Sequence, residues 1–370
     1  MRGCCRTGIG STTEGAVATR NILVLGASYG CLLGVKLALA GHDVRLVCRA
    51  RNAALINDRG VVVRLPVKGR EGLVEVRSGE LPGRITASVP EAVDPGSFDM
   101  VVLAMQEPQY RLPGVRELLQ ATAASGVPCL SVMNMPPPPY LSRIPGIDPG
   151  ACAESYTDAS PWEGFDARRV TLCSPDPQAF RPPEEEGNVL QVRLATNFKA
   201  AAFELGRDTA LLRELASGIE QARYEHGGER LDLPVKLKVH DSVFVPLAKW
   251  AMLLAGNYRC LTDDGVRSIA EAVHSDAESS RAVYDWVGAL CVSLGADPGA
   301  MVPFDKYAQA ARSLQSPSSA ARALAAGVPH IERVDRLVQA VAAQKGLAHP
   351  SVDETVARVD DWLVRNRLKG

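Results

Sequence analysis

Five residues, Gly26-Ala27-Ser28-Tyr29-Gly30, join a short apolar run, Asn21 to Leu25, to a helix-like stretch that stops at Gly41. Glycines at such a junction permit a tight turn and let backbone amides approach a pyrophosphate, whose charge the first turn of a helix favours. The spacing is an eroded G-x-G-x-x-G, with Ser28 in the middle place and Gly30 one residue early. A plain strand–helix turn would use the same residues, but the position in an opening βαβ unit favours the phosphate reading. Where the next strand ends, the sequence runs Cys48-Arg49-Ala50-Arg51. A dinucleotide without a 2′-phosphate wants an acidic residue there, whereas two guanidinium groups suit a 2′-phosphate through charge-assisted bidentate bonds. Solvated surface arginines are the bland alternative. Gly26, Ala27, Ser28, Tyr29, Gly30, Arg49 and Arg51 are therefore the candidate cofactor residues, and NADPH is favoured over NADH.

Far along the chain, Lys249 opens the apolar stretch Trp250-Ala-Met-Leu-Leu-Ala255, and Asn257 follows eight residues later. In a regular helix about 80° separates them, so they share one broad face. A lysine in such a helix either snorkels at its end or sits in a cleft, where an ammonium can stabilise and protonate a developing oxyanion.

The elements that must position these residues read as an α/β fold. Runs at Asn21–Leu25, Asp43–Cys48, Phe98–Ala104 and Pro128–Met133 suit buried strands, with helical stretches at 30–40 and 114–124 between them. That alternation implies an N-terminal Rossmann-like, doubly wound parallel sheet. From Asn134 to about Pro183 periodicity fades, and only Arg169–Cys173 is strand-like. From Asp208 onward helices dominate, at 211–223, 241–255, 265–294, 303–314, 330–344 and 352–364. The expected organisation is a disordered leader over 1–19, a cofactor domain over 20–207 with an irregular insert at 135–187, and an all-helical substrate domain over 208–370. The hinge is expected near 225–240, at Pro234.

Composition narrows the partners. With 41 Lys and Arg against 42 Asp and Glu in 370 residues, the net charge of −1 offers no bulk attraction to nucleic acid or to an anionic membrane. Nine scattered cysteines and six histidines show no ligand spacing, so no metal site is expected and the thiols read as reduced and cytoplasmic. The apolar stretch 22–39 carries Lys36 and three glycines, which is strand–turn–helix and not a membrane span. The charge balance leaves small molecules as the expected partners, with a homodimer as the expected assembly.

The sequence resembles the ketopantoate reductases. Leu25–Gly30, Gly41-His42-Asp43-Val44 and Cys48-Arg49 are similar to that family's opening unit. Asn52–Val63 and Asp99–Gln109 are similar to later elements, and Val132-Met133-Asn134 to the strand that ends in Asn-Gly. Ala248-Lys249-Trp250 with Asn257 resembles its lysine-bearing helix, and Pro317-Ser318-Ser319 with Gly327-Val328-Pro329 its Pro-Ser and Gly-x-Pro elements. The resemblance implies Lys249 as general acid, Asn134, Asn257, Ser318 and Glu332 at the substrate, and Gln106, Gln109 and Asn134 at the cofactor. It covers about 20–134 and 208–350. Gln106 stands where the family has lysine, Met135 where it has glycine, and Leu253 where a second asparagine falls. The substrate-binding glutamate falls on Ile331, or on Glu332 after a one-residue slip. These departures argue against ketopantoate itself. NADPH-dependent reduction of a small ketone or 2-oxo acid is the leading reading. Opine-type reductive amination and a non-catalytic NADP-binding sensor or scaffold stand as alternatives.

Overall fold

The computed structural model describes residues 18–369, so the leader expected over 1–19 lies almost wholly outside the described residues. The strands are β1 (Asn21–Leu25), β2 (Asp43–Val47), β3 (Val62–Pro66), β4 (Leu73–Arg77), β5 (Ile85–Ser88), β6 (Met100–Leu103) and β7 (Cys129–Val132), then β8 (Val170–Ser174), β9 (Gln178–Phe180), β10 (Val189–Leu194), β11 (Phe198–Ala201), β12 (Tyr224–His226), β13 (Glu229–Leu231) and β14 (Leu237–His240). The helices are α1 (Tyr29–Leu39), α2 (Ala50–Arg59), α3 (Val115–Ser125), α4 (Pro138–Leu141), α5 (Gly206–Gln221) and α6 (Lys249–Met252), then α7 (Ile269–His274), α8 (Ala277–Ser293), α9 (Phe304–Ala311), α10 (Ser319–Ala325), α11 (Val334–Gln344) and α12 (Pro350–Lys369).

Eight strands form the central sheet in the order β14-β11-β8-β7-β6-β1-β2-β5. From β8 to β5 every pairing is parallel; β11 runs antiparallel to β8 and parallel to β14. The sheet is thus doubly wound but mixed at one edge. Ile22, Leu23, Val24 and Leu25 are fully buried, as a parallel strand covered on both faces requires. Each contributes roughly 1.5–3 kcal/mol of apolar burial. Beside it lies a four-stranded sheet, β4-β3-β10-β9.

Several boundaries differ from expectation. The sheet runs on to His240, because β14 pairs with β11 and α5 packs on α1; residues 208–240 therefore belong to the sheet's layers and not to an all-helical region. The segment 135–187 supplies β8, where a strand was expected, but also β9, and Met135, Tyr140, Leu141, Ile144 and Trp162 are buried in the core. One continuous hydrophobic cluster joins these side chains to one face of the sheet and to the C-terminal helices. The helix expected over 265–294 is two, α7 and α8, because the carboxylate of Asp276 accepts from the Ser279 N–H at 3.0 Å and starts a new one. Among the described residues no helix is long and apolar enough to cross a membrane.

Candidate active site

The turn between β1 and α1 is tight for a measurable reason. Gly26 has φ +110°, and a Cβ there would lie 2.6 Å from the Ala104 carbonyl oxygen at the end of β6. Its N–H donates to Val47 O at 2.9 Å, so the carboxyl ends of β1, β2 and β6 meet at this residue. A Cβ on Gly30 would lie 2.6 Å from Val24 Cγ1, which is how α1 presses onto β1. These are the duties of the first and third glycines of a dinucleotide loop. The middle place tolerates Ser28 because its side chain is exposed. The Ser28 side chain makes no capping bond to α1; the Cys31 N–H donates to Ser28 O at 2.9 Å, which leaves the Tyr29 and Gly30 N–H groups to meet an anion. Arg49 and Arg51 flank the start of α2, both exposed, and among the described residues no carboxylate lies within 4 Å of either. The cradle at Gly26 and the two uncompensated cations fit a phosphorylated dinucleotide.

A second set of side chains meets where β6 and β7 end against the helices. Gln106, Asn134, Asn257 and Glu332 line one narrow cleft, with Leu253, Tyr258, Ser319 and Ile331. The Glu332 carboxylate accepts from Asn134 Nδ2 at 3.5 Å and from the Glu107 N–H at 3.4 Å. Tyr258 fixes the backbone there, donating to Glu332 O at 2.6 Å and accepting from the Val334 N–H at 3.0 Å. Burial pushes Glu332 up to about 7; the Glu107 N–H pulls it back, and the Glu107 charge adds to the rise. Asn134 Oδ1 is buried with no partner among the described residues, an acceptor waiting for a donor. Of the two positions open for the substrate glutamate, Ile331 is a buried apolar residue and Glu332 brings the carboxylate.

Lys249 begins α6. Its Nζ donates to Pro175 O at 2.6 Å and lies 3.6 Å from Asp176 Oδ1, just beyond the end of β8. Burial lowers Lys249 and the Asp176 charge opposes that. Burial likewise raises Asp176, but Lys249, Lys199 at 3.0 Å and the Ser174 hydroxyl at 2.6 Å hold it below its ordinary value. After α6 the helix widens into a π turn over Leu253–Asn257. A π turn holds one residue more than an α turn, so Asn257 swings from about 80° away to roughly the same face as Lys249. Single π turns concentrate at functional sites.

By sequence, no family model and no curated protein matches the chain. By structure the matches are extensive. The 2-dehydropantoate 2-reductase of Methylococcus capsulatus superposes with a TM-score of 0.64 at 14% identity, over 94% of this chain and 97% of that one. The chain has the fold of the ketopantoate reductases. A dimeric ketopantoate reductase of Staphylococcus aureus matches at 0.57 and 10% identity, over 94% of this chain and 99% of that one. A D-mandelate dehydrogenase solved with NADH and anilino(oxo)acetate matches at 0.62 and 13% identity, also over 94% and 99%.

Within the ketopantoate reductase fold, some expected residues sit elsewhere than the cleft. Ser318 is buried; its hydroxyl donates to Asn257 O at 2.7 Å and accepts from the Ala321 N–H at 3.1 Å, capping α10. It supports Asn257, and its neighbour Ser319 faces the cleft instead. Gln109 is exposed and its side chain accepts from the Gln106 N–H at 3.3 Å, shaping the turn after β6. Three further residues join the two sites without any sequence pattern that singles them out. Asp176 follows a strand-like segment, and a carboxylate at a strand's carboxyl end is the one signal it carries. Glu107 is buried, its carboxylate accepting from Thr157 N and Oγ1, both at 2.9 Å, and burial raises it to about 7 against those two donors. Arg181 donates to Ala27 O in the glycine loop, a contact across 154 residues that no local pattern announces.

Proposed function

We propose that this chain is a divergent ketopantoate-reductase-type oxidoreductase that uses NADPH to reduce the carbonyl of a small 2-oxo acid or related ketone, with Lys249 as the proton donor. The observation that carries this reading is the convergence of Gln106, Asn134, Asn257 and Glu332 on one cleft at the carboxyl ends of β6 and β7. That is where open α/β sheets bind ligands, and the Gly26–Ala104 contact puts the glycine loop alongside. Bound nicotinamide would supply a hydride to the carbonyl carbon. The oxygen that gains charge needs a positioned cation and a proton, and Lys249 offers both. Desolvation makes its proton easier to give, and Asp176 keeps the ammonium oriented and charged between turnovers. Asn257 and the unpartnered Asn134 Oδ1 orient the substrate and the carboxamide side of the cofactor. Glu332, raised to about 7, can present a carboxyl O–H to an acidic or hydroxylated substrate. The proposed assembly is a homodimer, and the Staphylococcus aureus enzyme of this fold is dimeric.

The test is NADPH oxidation across a panel of 2-oxo acids and simple ketones, with and without amines. Oxidation dependent on a keto acid and indifferent to amine is expected. Absolute dependence on amine would replace ketone reduction by reductive amination. Tight NADPH binding with no turnover on any member would make the protein a sensor.

A further inference from the structure

We infer that Arg181 is a third phosphate-binding residue of the cofactor site, reaching over from the 135–187 segment to close on the cofactor's 2′-phosphate opposite Arg49. This rests on the NADPH reading above. Arg181 follows β9, which pairs antiparallel with β10; β10 in turn lies beside β3, and this brings the turn at 181–188 against α2. The turn is anchored. Glu185 pairs with Arg64 at 2.6 Å, Glu186 with Arg59 at 2.6 Å, and Asn188 Nδ2 donates to Gly60 O at 2.9 Å. Pro182 and Pro183 stiffen the residues that follow Arg181.

From that anchor the half-buried guanidinium points at the glycine loop, Nη2 donating to Ala27 O. It lies near enough to Cys31 and Cys48 to pull both thiols down, against the burial that raises them. Its other end borders α2: a Cβ on Gly187 would lie 3.4 Å from Arg181 Nη1 and 3.3 Å from Asn52 Oδ1. Arg181 thus spans the gap between the glycine loop and the end of β2, where this fold holds the adenosine ribose.

The charge balance singles the group out. Arg59 and Arg64, on the same wall, are each neutralised by a glutamate. Arg181, Arg49 and Arg51 have no carboxylate within 4 Å among the described residues. A half-buried guanidinium with no carboxylate partner among the described residues gains most from a dianion that can take its two-pronged donor set. The 2′-phosphate has that charge and lies on that side of the loop, whereas a pyrophosphate would sit over the start of α1.

The experiment measures dissociation constants of 2′,5′-ADP, NADPH and NADH for wild type, Arg181→Ala and Arg181→Lys, with melting temperatures as the check on folding. Arg181→Ala should weaken 2′,5′-ADP and NADPH by roughly 10- to 100-fold, the loss of a charge-assisted bond. NADH should change less than about two-fold, and Arg181→Lys should fall between, keeping charge without the fork. Unchanged NADPH affinity, or equal losses for NADPH and NADH, would overturn the assignment while leaving the cofactor reading intact. Wild type that fails to bind 2′,5′-ADP would overturn both. If Arg181→Ala does not fold, Arg181→Lys and Arg181→Gln decide by the same NADPH-to-NADH ratio.

Discussion

At the glycine loop the chain offers a ligand its backbone and a set of loosely held cations: Gly26 at φ +110°, the free N–H groups of α1, and the exposed Arg49 and Arg51. At the junction with the helices it offers buried titratable side chains: Lys249 against Pro175 and Asp176, and Glu332 against Asn134 and Glu107. The first region presents the shape and charge that a phosphorylated dinucleotide would need. The second sets proton affinities, because burial moves its groups toward neutrality. Substitutions at one region should therefore change affinity, and those at the other turnover.

The largest effect is expected at Lys249. Lys249→Ala should lower kcat by roughly 10²–10⁴-fold, the usual contribution of a positioned acid. The NADPH dissociation constant should stay within about two-fold, since the residue touches Pro175 and Asp176 and not the glycine loop. Near wild-type turnover would mean that Lys249 only ties α6 to the end of β8 and that another group gives the proton.

Next comes Gly26→Ala. A side chain at φ +110° that also meets Ala104 O at 2.6 Å costs on the order of 1–3 kcal/mol, and the loop must open to relieve it. A lower urea midpoint together with weakened binding of both NADPH and NADH is expected. Unchanged binding of both would show that the loop does not shape the cofactor site.

Arg49→Ala should weaken NADPH by about 1.5–3 kcal/mol and spare NADH. Equal affinities of wild type for the two cofactors would remove the 2′-phosphate assignment and leave Arg49 as a solvated surface residue.

The smallest effect concerns the buried carboxyl of Glu107, 2% exposed and raised to about 7 from an ordinary 4.5. Its folded-state value lies above its unfolded one, so the native state holds the extra proton between those two pH values. Stability from this group is complete below about pH 4.5 and is lost as pH rises through 7. Glu107→Gln should therefore shrink the drop in Tm between pH 5 and pH 8, by about 2–4 °C for each kcal/mol removed. An identical pH profile in the variant would show that the Thr157 bonds keep Glu107 ionised throughout.

The strand–glycine–helix unit, its parallel sheet and the basic end of β2 are legible in the amino-acid sequence, because each signal is local. Burial on both faces writes an apolar run, and a tight turn writes glycine. The cleft is legible only in part. Asn134, Asn257 and Glu332 line it, but Ser318 caps a helix, and the angle between Lys249 and Asn257 depends on a π turn that the apolar run does not encode.

What the sequence by itself determined is therefore the fold class and the glycine turn with the arginines that flank the next strand's end. The tertiary structure alone decided the rest: that the Glu332 carboxylate meets Asn134 and the Glu107 N–H, that Asp176 faces Lys249, and that Arg181 reaches Ala27 from 154 residues away. The physical reason is one of range. Backbone geometry is set by neighbours in the chain. The proton affinity and aim of a buried side chain are set by whichever charges and carbonyls the packed core brings beside it, and here the 135–187 segment, wedged into that core, brings Asp176 and Arg181.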